Sequence, residues 1–368
     1  MNALSLFSGG GIGETYLKDI GVNVVVANEI DERRARFYQC LYPNTDMICG
    51  DICDENIYNE IINQSKVSCV DLIIATPSCQ GMSIAGKQVE FDERNQLICN
   101  AVDAVLDIMP KFAVFENVPE QENTYIKYNN RRTLVPRYIE RRLGRFYHIK
   151  SSVLNAKDYG VPQHRKRLFF VLVRKDLNFE YTFPAVSNEI TLSQAFAGIP
   201  DLWPNIREKK YQNVLPKNSE ESLNFHRYHK PPTHSWRNVE CMLFTPTGKS
   251  AMANKKYKPL NRNGKLIKSY DSTFKRMVWE KPANTLTKSN GMLGSTSTAH
   301  PGKPCLRTKD GTILYNNPRV LTLYEVMVVS SLPDDFTIPS FASDNITRFV
   351  IGESVPPLLL KKVIEGLI

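Results

Sequence analysis

At 368 residues the chain is long enough to bury a large core, and it predicts one big domain plus a smaller one. Hydrophobic residues at 42% and charged residues at 23% are the proportions of an ordinary globular protein. No apolar run approaches the roughly 20 residues that span a bilayer, which excludes a helical membrane protein. The N-terminal MNALSLFSGGG lacks a basic n-region and leads straight into a strand pattern, so it is not expected to be a signal peptide. The eight cysteines are scattered and only Cys49 and Cys53 are close. Neither zinc nor a disulfide framework is indicated, no metal site is expected, and a reducing cytoplasmic setting follows.

The formal net charge of +9 is unevenly divided. Residues 1–174 carry 21 Lys+Arg against 21 Asp+Glu, residues 175–318 carry 22 against 11, and residues 319–368 carry 4 against 6. The excess is densest between Arg227 and Lys288. A basic block beside a neutral one predicts a polyanion partner, nucleic acid above all, over a merely solvated lysine face.

In chain order, residues 3–7 read as a strand, followed by a glycine-rich turn and a helix through Ile20. Residues 22–27 form a second strand ending at Asn28-Glu29. A helix from Asp31 to Leu41, capped by Asp31, comes next. Met47 to Cys49 lead to Gly50-Asp51, and residues 56–65 look helical. Residues 70–75 are the central strand, apolar and β-branched, stopped by Thr76-Pro77. An amphipathic helix over 95–109 precedes a strand at 112–115 that runs into Glu116-Asn117. Residues 131–143 read as a helix, and 146–155 and 168–173 as two strands joined by a turn-rich stretch from Asp158 to Gln163. Residues 175–318, proline-rich with short apolar runs, predict a separate irregular domain. Helical patterns return at 322–330 and 357–368. Strands alternating with helices predict an α/β fold with a doubly wound, mainly parallel sheet.

In such sheets the chemistry sits beyond the carboxyl ends of the strands. Cys79 lies just past the central strand, in the frame Pro77-Ser78-Cys79-Gln80-Gly81, with Ser83 behind it. That position favours a nucleophile over the small buried hydrophobe that a cysteine usually is. At the first strand's exit, Gly9 to Gly13 let backbone approach a ligand, although Glu14 breaks the strict dinucleotide spacing. Glu29, at the second strand's tip, can take both ribose hydroxyls, and Asp51, at the third, can accept from an adenine amino group. Together they outline an adenosine site; as mere helix caps their joint placement would be a coincidence. Glu116 at the next tip suits protonation of a ring nitrogen while a cysteine adds to an electron-poor ring. Arg165 and Arg167 alternate into a strand, so two guanidinium forks on one face could meet a base carbonyl and a phosphate. A solvated edge strand is the plain alternative, and His164 reads as packing or surface.

These motifs, LSLFSGGGIG, NEID, GD, PSCQG, ENV, QHRKR and GESVPP in that order, make the chain resemble the DNA (cytosine-5)-methyltransferases. KPANTLTKSNG (281–291), His300-Pro301 and RVLTLYEVMVVSSLPDDF (319–336) resemble the stretch the family carries before its last motif. The resemblance implies a Rossmann-like methyltransferase domain over 1–174, a basic target recognition domain over 175–318, and a C-terminal segment, 319–368, returning to the first. It implies S-adenosylmethionine as cofactor, lined by Phe7, Gly9, Gly11, Ile30, Pro77, Leu97, Ser354 and Val355, with Glu29 on the ribose and Asp51 and Ile52 at the adenine. It further implies that Cys79 attacks C6 of a cytosine flipped out of duplex DNA, that Glu116 contacts N3 and the exocyclic amine, and that Arg165 and Arg167 secure the base carbonyl and nearby backbone. The sequence departs from the family at Ser78, where proline is usual, and at Glu353, where asparagine is usual. Neither departure removes a reacting group.

The expected activity is therefore methylation of C5 of cytosine in a specific DNA sequence by a cytoplasmic monomer without membrane contact, by analogy with a partner restriction endonuclease. Its rivals are the same chemistry on tRNA and a catalytically silent DNA-binding relative. The long basic insert weighs against the first, and the retained Cys79, Glu116 and arginines against the second.

Overall fold

The computed structural model describes residues 1–78, 93–296 and 298–368. They form two compact units: Met1–Tyr159 with Lys166–Ser187 and Ser354–Ile368, and Gly160–Arg165 with Asn188–Glu353. The units divide the chain elsewhere than at 174/175 and 318/319. Residues up to Ser187 stay with the first unit, where the Tyr181 hydroxyl donates to the Val363 carbonyl at 3.0 Å. Residues 319–353 stay with the second, where Arg319 and Glu325 are buried together.

The first unit is built on a seven-stranded sheet. Its strands are β1 (Asn2–Leu6), β2 (Asn23–Glu29), β3 (Asp46–Cys49), β4 (Leu72–Ala75), β5 (Phe112–Asn117), and, after a hairpin of β6 (Tyr125–Tyr128) and β7 (Arg131–Leu134), β8 (Tyr147–Asn155) and β9 (Lys166–Arg174). The sheet order is β3-β2-β1-β4-β5-β9-β8, with the first five strands parallel and β9 antiparallel to both neighbours. The central strands β4 and β5 are buried along their whole length, as their unbroken apolar runs require in a sheet covered on both faces. The helices α1 (Glu32–Leu41), α2 (Glu55–Val67), α3 (Leu97–Ile108) and α4 (Val135–Leu143) belong to this unit. Asp31 caps α1 by accepting from the Arg33 and Arg34 amides, and Asp54 caps α2 in the same way. Leu4, Ile73, Phe115, Val102, Ile139 and Leu172 lie in one hydrophobic cluster.

Three local readings change. The expected helix after β1 is only two single 3-10 turns, Ile12–Glu14 and Lys18–Ile20, bracketed by Gly11 before the first and Gly21 after the second, both in left-handed conformations (φ 77° and 74°). The expected helix 131–143 starts only at Val135, with Pro136 in its first turn, where the missing N–H costs nothing. Its first residues instead pair with β6 across an Asn129-Asn130 turn, both at positive φ, the geometry a two-residue hairpin needs. A helix over 344–353, unread in the sequence, closes the second unit.

That second unit is made of short pieces: α5 (Leu192–Ala195), α6 (Glu220–Asn224), α7 (Trp236–Leu243), α8 (Leu323–Val329) and α9 (Asp344–Glu353), with β10 (Asn205–Ile206) paired to β11 (Thr233–His234) and β12 (Pro304–Arg307) to β13 (Ile313–Tyr315). Small apolar clusters, one around Met242, Phe274 and Val320, share the interior with buried Arg276, Arg319 and Glu325. The chain ends in α10 (Pro357–Glu365), part of the first unit. Among the described residues no helix is long and apolar enough to cross a membrane.

Candidate active site

Because β1 to β5 are parallel, their carboxyl ends open on one edge of the sheet, and main-chain and carboxylate bonds lace these ends together. Beyond β1 the chain turns sharply, with Phe7 at φ 57° and Gly9 at φ 58°. Phe7 pays a conformational cost that glycine does not. The Ser8 amide donates to Asn28 O at 3.0 Å, and the Gly9 amide donates to Glu29 Oε2 at 2.9 Å. Glu29, 4% exposed, also accepts at Oε1 from the Asp31 amide and from Arg34, each at 2.9 Å. Asn28 reaches across to β3, its amide donating to Ile48 O and Gly50 O at 2.9 and 3.0 Å.

These donors occupy three of the roughly four acceptor positions a carboxylate offers. Glu29 can therefore accept one further hydroxyl while the network stands, rather than two. Around it, a Cβ placed on Gly9 would meet nothing within 4 Å, so the turn faces open space. Ile30 leaves a large apolar side chain 59% exposed, Ile52 is buried, and the exposed Asp51 accepts the Cys53 amide at 2.9 Å through Oδ1. An acceptor, an uncovered apolar face and a second carboxylate at neighbouring strand ends fit the sugar and base of an adenosine. Gly13 packs against Val355, where a Cβ would come within 2.8 Å of Cγ1; Ser354 precedes Val355 at the entry to α10. Leu97 opens α3 and packs partly buried against the core cluster.

Behind the glycine turn lies a buried group to which the sequence analysis assigned no role. Glu14, buried, accepts from the Ser5 hydroxyl at 2.5 Å and from the Tyr38 hydroxyl. Burial lifts its carboxyl to about 7, against the opposing pull of those two hydrogen bonds. The Tyr42 hydroxyl donates to Gly11 O at 2.8 Å, and a Cβ on Gly11 would sit 2.6 Å from the Tyr42 ring and 2.8 Å from that of Tyr38. The glycine there makes room for two tyrosines, Tyr38 in α1 and Tyr42 just past its end. Only the acidic side chain next to Gly13 signalled it, and that is a weak signal.

At the other end of the row, β4 and β5 leave the sheet in step, with Ala75 and Phe115 as register partners. The Asn117 side-chain amide donates to Pro77 O at 3.0 Å and ties the two exits together. Glu116, buried at the tip of β5, forms an ion pair with Arg167, Nε to Oε1 at 2.8 Å. Cys79, Gln80, Gly81 and Ser83 lie outside the described residues.

Arg165 and Arg167 do not act as a matched pair. Lys166 opens β9, so Arg165 precedes the strand whose alternation would have set the two on one face. Arg165 belongs to the second unit, and there its guanidinium donates to the carbonyls of Leu286 (2.6 Å), Gly352 (3.1 Å) and Glu353 (3.0 Å). Its neighbour Gln163 is likewise structural, donating to Val329 O at 3.1 Å and accepting from the Leu286 amide at 3.2 Å.

The description of C-5 cytosine-specific DNA methylases matches residues 1–368. This chain belongs to that family. It is 36% identical to the type II methyltransferase M1.HgaI of Avibacterium volantium over 98% of this chain and 96% of that protein. It is 28% identical to M1.HphI of Haemophilus parahaemolyticus over 99% of this chain and 86% of that one. Two solved structures share the fold. A prophage-encoded E. coli protein described as a DNA modification methyltransferase superposes with a TM-score of 0.67 at 21% identity, covering 100% of this chain and 98% of that one. The Entamoeba histolytica methyltransferase EhMeth gives 0.60 at 17%, covering 100% and 97%. The chain is thus a DNA cytosine-5 methyltransferase on a Rossmann-like sheet.

Proposed function

We propose that this methyltransferase modifies a cytosine flipped out of a specific duplex DNA sequence, by way of a covalent bond between Cys79 Sγ and C6 of the base. Support comes above all from the bond between Asn117 and Pro77, which fixes the exit leading to Cys79 against the exit bearing Glu116. C5 of cytosine is a poor nucleophile. Attack by the Cys79 thiolate at C6 forms the S–C6 bond, while a proton reaching N3 from Glu116 lets the electron pair settle as an enamine with its density on C5. After C5 is alkylated, loss of its proton, return of the N3 proton to Glu116 and departure of the thiolate restore the ring. An ordinary thiol has a pKa of about 8.5, so attack must be coupled to removal of its proton. Arg167, paired with Glu116, holds that carboxyl in place and carries a cation to the base.

S-adenosylmethionine, when bound, supplies the methyl group. Glu29 would hold its ribose, Asp51 and Ile52 its adenine, and Phe7, Gly9, Gly11, Ile30, Pro77, Leu97, Ser354 and Val355 would line it. The basic stretch 175–318 is read as the target recognition domain, with lysines on phosphates and a few side chains on base edges. We take the enzyme to be a cytoplasmic monomer that works beside a restriction endonuclease.

The test is a mechanism-based trap. Duplex DNA carrying 5-fluorocytosine, whose fluorine blocks proton loss from C5, should form a covalent adduct with the wild type and none with Cys79→Ser. Labelled-methyl transfer should reach duplex DNA and not tRNA. Turnover of ordinary duplex by Cys79→Ser, or label on tRNA alone, would overturn the proposal.

A further inference from the structure

Charge sums to nothing over residues 1–174, yet it is not evenly spread. Residues 125–145 carry one lysine, six arginines and a single acid, Glu140. The fold sorts them. Arg142 is turned to Asp103 at 2.8 Å, whereas Lys127, Arg131, Arg132, Arg137, Arg141 and Arg145 are exposed.

Two features of that surface work against the stability of the free protein. In the β6–β7 hairpin Lys127 and Arg132 are register partners, two cations side by side on one face, while Ile126 and Thr133 are buried on the other. Like charges directly opposite across an antiparallel pair are destabilising. On α4, Arg137 and Arg141 stand four residues apart, again a repulsive spacing, while Val135, Tyr138, Ile139 and Leu143 face the core. The guanidinium of Arg132 lies 3.7 Å over the Tyr125 ring, which holds it beside Lys127. Lys127, Arg131, Arg137 and Arg141 have no ion pair among the described residues. Cations repeating about every 6 Å along a helix suit a chain of anions better than a single one.

The hairpin is also well placed. It follows the exit of β5, where Glu116 stands, and Ile126 joins the same hydrophobic cluster as Phe115. We propose that the β6–β7 hairpin and the outer face of α4 form a second DNA-contacting surface, on the sheet-bearing unit, which grips the phosphate backbone of the duplex and reads no sequence. The proposal builds on duplex DNA as substrate and adds a contact that the basic stretch 175–318 does not account for.

The test uses the full-length enzyme and measures DNA affinity against salt. Each phosphate contact contributes about 0.9 to the slope of log K on log[salt]. Lys127→Gln/Arg131→Gln should lower the slope by roughly two and weaken binding at physiological salt on the order of tenfold, equally for DNA with and without the methylated sequence. Methyl transfer at saturating DNA and the 5-fluorocytosine adduct should persist. Arg137→Gln/Arg141→Gln, on a different element, should do the same and covers the case in which the hairpin variant folds poorly. Lys18→Gln/Lys66→Gln, the same charge loss elsewhere on the unit, should leave the slope alone. An unchanged slope in both patch variants, an equal loss in the control, or a loss confined to the methylated sequence would overturn the proposal. A wild type that binds tRNA and ignores duplex DNA would sink the choice of substrate instead.

Discussion

Glu14 and Glu325 are both buried carboxyls, one in each unit, and their surroundings differ above all in charge. The partners of Glu14 are the hydroxyls of Ser5 and Tyr38, with no cation among them. Glu325 faces Arg319 in a two-pronged pair, Nη1 to Oε2 at 2.7 Å and Nη2 to Oε1 at 2.8 Å, and accepts the Thr322 amide at 2.8 Å. Burial works to raise both carboxyls. It prevails at Glu14, which moves to about 7. At Glu325 it is overcome by the Arg319 charge, then by His300, and the carboxyl falls to about 2. Neutral donors do not keep a buried carboxylate charged, and a guanidinium does. The glycine turn is thus backed by a group that exchanges its proton near neutrality, while the second unit is pinned by a permanent ion pair.

The largest effect should come from breaking that pair. Arg319→Met leaves Glu325 buried without its cation and should cost about 3–5 kcal/mol, read as a drop in the urea midpoint. Adding Glu325→Gln should recover most of the loss, since the penalty belongs to the stranded charge. Failure of the double variant to recover would mean that the other bonds of Arg319, to Leu202 O at 2.7 Å and Val320 O at 3.0 Å, matter more.

Next in size is an opposite response to pH. Glu14 has a raised pKa, so its contribution is fully present below about 4.5, falls as the unfolded chain ionises, and is lost by about 7, a change on the order of 3 kcal/mol. Glu325 has a lowered pKa, so its contribution is present above about 4.5 and disappears as pH falls towards 2. His234, pulled to about 3 by burial and then by Arg348, Arg319 and Arg207, adds to the acid loss, because it stays neutral while the unfolded histidine charges below about 6.5. Hydrogen exchange followed by peptide should show residues 1–20 gaining protection from pH 7 to 5, while residues 319–329 lose it as pH falls further, from about 4.5 towards 2. Glu14→Gln should abolish the first trend and spare the second; parallel trends in both segments would break the contrast.

How much of this the sequence discloses depends on whether the signal is local. The strand ends are legible, because an apolar run, a glycine turn and an acid at a tip lie within a few residues of each other, and Phe7, Gly9, Glu29, Asp51 and Glu116 stand where that pattern sets them. Arg165 and Arg167 are two residues apart, yet one holds carbonyls more than a hundred residues away and the other holds Glu116; nothing local separates them. Charge sums mislead in both directions. Arg276 counts towards the basic block but is fully buried, donating to the carbonyls of His300, Asn317 and Met242. The cations of 125–145 vanish into a total of zero. The hairpin was hidden because Arg131 to Leu134 continue into a strongly amphipathic helix, and only the pairing across Asn129-Asn130 marks them as strand.

The smallest effect concerns what the Glu14 cluster does for the turn in front of it. Tyr42 donates to Gly11 O, a bond whose removal by Tyr42→Phe should cost only about 1 kcal/mol, since the ring stays and one hydroxyl is lost. Stability alone would not separate this from any buried tyrosine. If Tyr38 and Tyr42 hold the turn in the form that receives the cofactor, Tyr42→Phe should weaken S-adenosylmethionine binding several-fold and leave the affinity for duplex DNA as it was. Gly11→Ala, which drives a methyl group into both rings and strains a residue at φ 77°, should show the same split in exaggerated form. Equal losses of cofactor and DNA affinity in both variants would mean that the cluster supports the unit as a whole rather than the turn.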